Sequence, residues 1–186
     1  IKDLLQKKNI SHVLTIDTGC HPEILKQLEE NDINLKIINI EQYIYSVLKD
    51  SHSLLLKKSH APQTIFTYTP CSQREQLKIP NITKDLLSMF FQNTSIKQIP
   101  KGYGCCGAAG RYMLDHPNTA EKLAKQICDE FIEKNPELLN QDPANNNIIF
   151  CTGNIGCALH LRDVLYREYK INIAIKLILM LCFNCI

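Results

Sequence analysis

Two adjacent cysteines, Cys105 and Cys106, stand in a run of small residues, KGYGCCGAAG, from Lys101 to Gly110. Neighbouring cysteines seldom bond to each other, because a disulfide demands an approach of the two side chains that adjacent residues reach only under strain. Gly102, Gly104, Gly107 and Gly110 strip the stretch of side-chain bulk and let the backbone come close to another body. A fold for this chain has to supply that body.

The remainder of the chain alternates short apolar runs with amphipathic segments. VLTID (Val13 to Asp17), LKIINI (Leu35 to Ile40), TIFTYT (Thr64 to Thr69), SIKQIP (Ser95 to Pro100) and NIIFC (Asn147 to Cys151) are rich in branched residues and predict strands. HPEILKQLEEN, EQYIYSVLKD, ITKDLLSMFF and IGCALHLRDVLYREY predict helices between them. The clearest helix spans Asn118 to Lys134, with Ala120, Leu123, Ala124, Ile127, Cys128 and Phe131 on one face and charges on the other. A polar loop, NQDPANNN, precedes the NIIFC strand. This alternation predicts an α/β fold with helices layered around a largely parallel sheet. Sites in such sheets gather at the carboxyl ends of strands, which is where Cys20, Cys71 and Cys157 fall.

One internal similarity bears on organisation. VLTIDTGCHPEILKQL and IIFCTGNIGCALHLRDVL each run from a strand through a polar turn ending Gly-Cys into a leucine-bearing helix. Gly19-Cys20 then corresponds to Gly156-Cys157, and Asp17 to Asn154, as in two copies of one unit.

Nine cysteines in 186 residues is an odd total, so a pure disulfide framework leaves one thiol over. Cysteine usage of this kind points to metal binding or redox chemistry with reduced thiols, and to a cytoplasmic setting. The 21 basic and 19 acidic residues nearly balance, which gives no nucleic-acid footprint. No apolar run reaches the ~20 residues of a membrane-spanning helix; the carboxyl end, IAIKLILMLCFNCI, carries Lys176 and predicts a buried strand or helix.

Cys71, Cys105, Cys106 and Cys157 are each expected at a strand-to-helix or loop-to-helix junction, where a helix amino terminus and backbone N–H groups favour the thiolate. Four such sulfurs, with Cys20 as a fifth candidate, suit either zinc or an iron–sulfur cluster. Gly104, Gly107, Ala108, Ala109 and Gly110 favour the cluster, since they leave room for a multi-iron body and offer N–H groups to its sulfides. Cys128 and Cys151 read as core residues, and Cys182 with Cys185 forms a C-x-x-C lacking other assignable donors. Arg111 is a candidate to offset thiolate charge, and His116 and His160 to hydrogen-bond to sulfur.

The segments TYTPC, GYGCCGAAGRYMLDHP and TGNIGCALHL resemble the cysteine-rich CCG domain found in heterodisulfide reductases and in the iron–sulfur subunits of glycolate oxidase and related flavin-linked dehydrogenases. The resemblance is strongest to the carboxyl-terminal region of glycolate oxidase iron–sulfur subunits. Its family pattern is a cysteine, a spacer, C-C-G, a second spacer and a terminal cysteine pair; the first spacer here is 33 residues. The terminal pair departs from the heterodisulfide reductase type, because Asn154 stands where a fifth cysteine would be.

The resemblance implies the end of a first CCG-like repeat over residues 1–60, a second complete CCG domain over 61–175, and an atypical apolar tail over 176–186. It also implies a [4Fe–4S]-type cluster on Cys71, Cys105, Cys106 and Cys157, passing electrons from an FAD-bearing dehydrogenase subunit that oxidises a 2-hydroxy acid towards quinone. Ferredoxin-like C-x-x-C-x-x-C runs and a first C-C-G are missing from this chain, so those parts are expected elsewhere. Contact with the inner face of the membrane is the accompanying expectation. The alternatives are a heterodisulfide-reductase-like catalyst and a zinc-stabilised structural domain.

Overall fold

The computed structural model describes residues 10–49, 64–91, 93–102, 104–140, 148–178 and 181. Two parallel sheets carry the architecture. The smaller pairs β1 (His12–Thr15) with β2 (Lys36–Asn39), and α1 (His21–Glu30) lies between them in sequence. Helix α2 (Ile40–Leu48) follows β2 directly. The larger sheet contains β3 (Thr64–Tyr68), β4 (Ser95–Gln98), β5 (Ile148–Thr152) and β6 (Ala174–Leu177) in the order β4-β3-β5-β6, all parallel. Its register sets Phe66 beside Phe150 and Tyr68 beside Thr152.

Three helices serve the larger sheet: α3 (Ile82–Phe90), α5 (Pro117–Lys134) and α6 (Ile155–Tyr169), with a single-turn α4 (Tyr112–Asp115) ahead of α5. Their sides follow from the two-residue period of the strands. Phe66, Tyr68 and Phe150 pack with Ala124, Ile127 and Phe131 of α5 and Leu161, Val164 and Leu165 of α6. The intervening Ile65, Ile149 and Cys151 pack with Leu86, Leu87 and Phe90 of α3, and Ile44, Tyr45 and Leu48 of α2 join them. Each fully buried aliphatic or phenyl side chain in these layers contributes about 1.5–3 kcal/mol relative to exposure. The α/β alternation of the sequence is thus realised as a doubly covered parallel sheet.

Helix starts are written locally. Pro22 and Pro117 occupy first-turn positions of α1 and α5, where proline's missing N–H loses nothing. Asn39 accepts from the Glu41 backbone N–H to cap α2, and Asn154 accepts from Cys157 N–H to cap α6. The carboxyl-terminal segment forms β6 at one edge of the sheet, and Ile178 and Leu181 are buried beyond it. Cys182 and Cys185, the rest of the expected tail, and the loop at 141–147 lie outside the described residues. Among the described residues no helix is long and apolar enough to cross a membrane.

Candidate metal centre

The three junctions that carry the predicted thiols meet at the carboxyl edge of the larger sheet. Cys71 follows β3 by three residues and opens a π-helical turn, Ser72–Gln76. Cys157 lies in the first turn of α6, directly after β5. Cys105 and Cys106 stand in irregular loop, with the nearest helix, α4, beginning only at Tyr112. The expectation of a helix amino terminus therefore applies to Cys71 and Cys157 and not to the doublet. The doublet is brought in by packing instead.

That packing depends on two glycines. Gly107 has φ +80°, and a Cβ there would stand 2.7 Å from both the Cα and the carbonyl oxygen of Ala120, so the loop lies directly on the α5 backbone. At Gly156 a Cβ would come within 3.0 Å of the Ala108 carbonyl oxygen, so the start of α6 is drawn equally close to the same loop. Absence of side chains at both positions closes the gap between the doublet and Cys157.

The thiols lie in a row. Cys71 Sγ lies 3.9 Å from Cys105 Sγ. Cys106 adjoins Cys105 in the chain and shares a buried cluster with Cys157, near enough to both that each raises its pKa. Cys106 and Cys157 are 2% and 5% exposed, whereas Cys71 and Cys105 are half-buried, so the row runs from the interior to the surface. Gly107 N donates to Cys105 Sγ at 3.3 Å, and the backbone N–H groups of Ser72 and Ala108 act on the Cys71 and Cys106 sulfurs in the direction that favours the thiolate. Among the described residues no group of three or more His, Cys, Asp or Glu side chains stands ready-made around a single ion.

Their acidities diverge. The neighbouring Cys106 and Cys71 thiols, with the Gly107 N–H and the Arg74 charge, hold Cys105 far below the ordinary thiol range, against a raising effect of burial. Cys105 raises Cys71 and Cys106 in turn, and Cys157 and burial raise Cys106 further.

Two residues not singled out from the sequence frame this row. Arg74 donates through Nη2 to the Gly104 carbonyl at 2.6 Å and through Nη1 to the Thr69 carbonyl at 3.1 Å, with Nε on Glu75 at 2.6 Å. It joins the turn that carries Cys71 to the loop that carries the doublet. Arg111, the cation favoured from the sequence, is 84% exposed and pairs with Asp115. Tyr68, at the end of β3, is 1% exposed and shares a buried cluster with Cys106, Ala108 and Cys157. Its hydroxyl has no hydrogen-bond partner among the described residues.

Other candidates fall elsewhere. Cys20 is exposed at the start of α1 and is not a member of the buried cluster that holds Cys106 and Cys157. Cys128 is core, its Sγ donating to the Leu161 carbonyl at 3.9 Å, and burial pushes its thiol up to about 12. Cys151 lies on the opposite side of the sheet, in the layer with α3. His116 is exposed, its ring 4.9 Å from that of Tyr112 at a 45° tilt, and His160 Nδ1 is buried with no partner among the described residues.

The amino-terminal elements touch the centre through Asp17. Its Oδ1 accepts from Gly19 N at 2.7 Å and Asn154 Nδ2 at 3.0 Å, and its Oδ2 accepts from Ile155 N at 2.7 Å. Asn154 thus holds Cys157 N–H with its oxygen and Asp17 with its nitrogen. Where a cysteine pair would put a fifth sulfur, this chain has a helix cap.

Behind the centre lies a buried polar group. Glu41, 1% exposed, accepts at Oε2 from Thr83 Oγ1 at 2.7 Å, and Thr83 in turn accepts from Gln73 Nε2 at 2.9 Å. Glu41 Oε1 and Gln73 Oε1 are both unpartnered among the described residues, and both lie within 3 Å of where a Gly153 Cβ would stand, at 2.7 and 2.9 Å. Burial pushes the Glu41 carboxyl up to about 7, against a smaller lowering by Thr83. A neutral acid at this position has an O–H to offer where an ionised one would face a second bare acceptor.

A family model described as the CCG cysteine-rich domain matches residues 65–162. The glycolate oxidase iron-sulfur subunit of Escherichia coli (strain K12) is 30% identical over 95 residues, covering 50% of this chain and 20% of that protein. The chain therefore spans about a fifth of the length of this curated relative. No solved structure matches the chain.

Proposed function

The chain belongs to the cysteine-rich CCG domain family, and from that premise we propose that Cys71, Cys105, Cys106 and Cys157 hold an iron–sulfur cluster of the [4Fe–4S] type in an electron-transfer module. The observation that carries the reading is the meeting of four thiols from three junctions at one sheet edge, with backbone N–H groups that favour their thiolates. The donor set fits such a group: it is all sulfur, it is walled by glycine and alanine, and an unpartnered buried hydroxyl stands beside it. When bound, the cluster supplies one-electron transfer at a potential the protein tunes.

The residues divide the remaining work. Cys106 and Cys157 anchor the buried side, while half-buried Cys71 and Cys105 face the side from which a redox partner approaches. Arg74 holds the two surface ligands together and lowers the charge around them. Phe66, Ile127 and Leu161 keep water from the inner side.

The name of the E. coli relative supports placing this module in a flavin-linked 2-hydroxy-acid dehydrogenase of the glycolate oxidase kind. On this reading an FAD-bearing partner subunit supplies the electrons and quinone receives them at the inner face of the membrane. We also propose that residues 1–60 close a first CCG-like repeat and 61–175 form a second. The bond between Asp17 and Asn154, equivalent positions of the two segments, supports that division.

The test is anaerobic mixing of the reconstituted chain with a flavin-linked glycolate dehydrogenase subunit. Glycolate-dependent bleaching of the cluster's visible absorption is expected. A cluster that is chemically reducible yet never bleaches with flavoprotein and glycolate would remove the partner assignment, and turnover of a disulfide substrate would favour a heterodisulfide-reductase-like role.

A further inference from the structure

Tyr68 is an anomaly of the packed core. A tyrosine hydroxyl taken out of water without a partner is disfavoured, and buried tyrosines ordinarily find one. Here the side chain is 1% exposed and its Oη has no partner among the described residues. The hydroxyl is not lost in apolar surroundings, however. Tyr68 follows Phe66 on the α5/α6 side of β3 and shares its buried cluster with Cys106, Ala108 and Cys157. A tyrosine phenol keeps its proton at neutral pH, and a buried O–H beside Cys106 and Cys157 is a donor in search of an acceptor.

We propose that Tyr68 donates its hydroxyl hydrogen bond to a sulfur of the bound iron–sulfur cluster and thereby sets the cluster's reduction potential. The inference rests on the cluster reading above and adds a residue to it that is not a ligand. A donor aimed at sulfur stabilises the more negative, reduced state more than the oxidised one, which raises the potential. Tyr68 is a positioning residue: it takes no electron and loses no proton. Its missing partner is also accounted for, because the acceptor arrives with the cluster.

Tyr68→Phe isolates the hydroxyl, since phenylalanine keeps the ring. Wild type and variant are reconstituted anaerobically with iron and sulfide, and metal content, midpoint potential and proton coupling in the reduced state are measured. Urea unfolding is followed on both cluster-free proteins. Expected are equal cluster content, and a reduced-to-oxidised ratio at fixed poise about tenfold lower in the variant, equivalent to about 59 mV for one electron. One exchangeable proton coupling should vanish, while the cluster-free variant is as stable as wild type or more so, because only an unsatisfied hydroxyl has gone.

A loaded Tyr68→Phe protein with the wild-type potential and wild-type proton couplings overturns the inference and leaves the cluster reading standing. A folded variant that no longer takes up iron also overturns it, because a tuning donor leaves uptake intact. Wild type that binds no iron overturns the cluster reading and this inference together.

Discussion

Asp17 and Asn154 are hydrogen-bonded, Nδ2 to Oδ1 at 3.0 Å, across 137 positions of sequence. The same carboxylate accepts the Ile155 N–H at 2.7 Å, so a residue of the amino-terminal segment secures the start of the helix that bears Cys157. Asp17→Ala removes the acceptor of three donors at a partly exposed site. A loss of about 1–2 kcal/mol in urea unfolding is expected, with weaker retention of metal at Cys157. Unchanged stability would show that the contact does not join the two parts.

Arg74 predicts an asymmetry between two conservative-looking changes. Its guanidinium reaches the Gly104 and Thr69 carbonyls at once, a fork that lysine's single ammonium does not reproduce. Arg74→Lys keeps the charge and loses the bridge, so it should cost about 1 kcal/mol of stability and speed metal loss to a chelator several-fold. Arg111→Lys, on an exposed side chain paired with Asp115, should change neither. Stopped-flow chelation reads the difference.

Glu41 predicts a pH dependence with a definite sign. Its folded pKa of about 7 exceeds the ordinary carboxyl value of 4.5. Below about 4.5 both folded and unfolded chains hold the proton and the group has no effect. Between the two values the unfolded chain releases a proton that the folded chain retains, so stability falls as pH rises, by a total on the order of 3 kcal/mol above pH 7. Glu41→Gln keeps an acceptor for Thr83, supplies an N–H towards Gln73 and abolishes this contribution. Urea midpoints at about pH 5 and about pH 8 should therefore separate for wild type more than for the variant.

Glycine positions in the doublet loop should not be equivalent. Gly107→Ala meets the Ala120 backbone at 2.7 Å and strains a φ of +80°, so a loss of about 2–4 kcal/mol follows from clash plus strain. Gly110→Ala, at φ +52° with nothing within 4 Å, should cost only about 1 kcal/mol. Equal losses would mean the loop does not lie on α5.

Much of this fold was legible in the sequence. The runs TIFTYT and NIIFC carried the apolar, branch-rich composition of strands buried on both faces, and the Asn118–Lys134 stripe carried the period of a helix; both patterns survive because the layers bury what they mark. The π-helical turn at Ser72–Gln76 was not legible. SQREQ has no apolar period, and its width comes from Leu77 N–H reaching back to the Ser72 carbonyl at 3.0 Å. Arg111 drew attention through its nearness to the doublet in sequence, whereas Arg74 reaches Gly104 over 30 residues, a contact only the parallel sheet creates. Tyr68 did leave a signal, since the alternation with Phe66 puts it on the α5/α6 side just before Cys71. A period reveals the side a residue faces but not the missing partner of its hydroxyl.

The cluster reading requires the four sulfurs to act as one ligand set. Its most direct test is iron and acid-labile sulfide content, with electron paramagnetic resonance, on anaerobically reconstituted wild type and Cys106→Ala. Expected are equal amounts of iron and sulfide in the wild type, a reduced-state signal, and loss of most of both in the variant, whose missing thiol lies between Cys105 and Cys157. Zinc without labile sulfide in the wild type, or an undiminished cluster in Cys106→Ala, would contradict it.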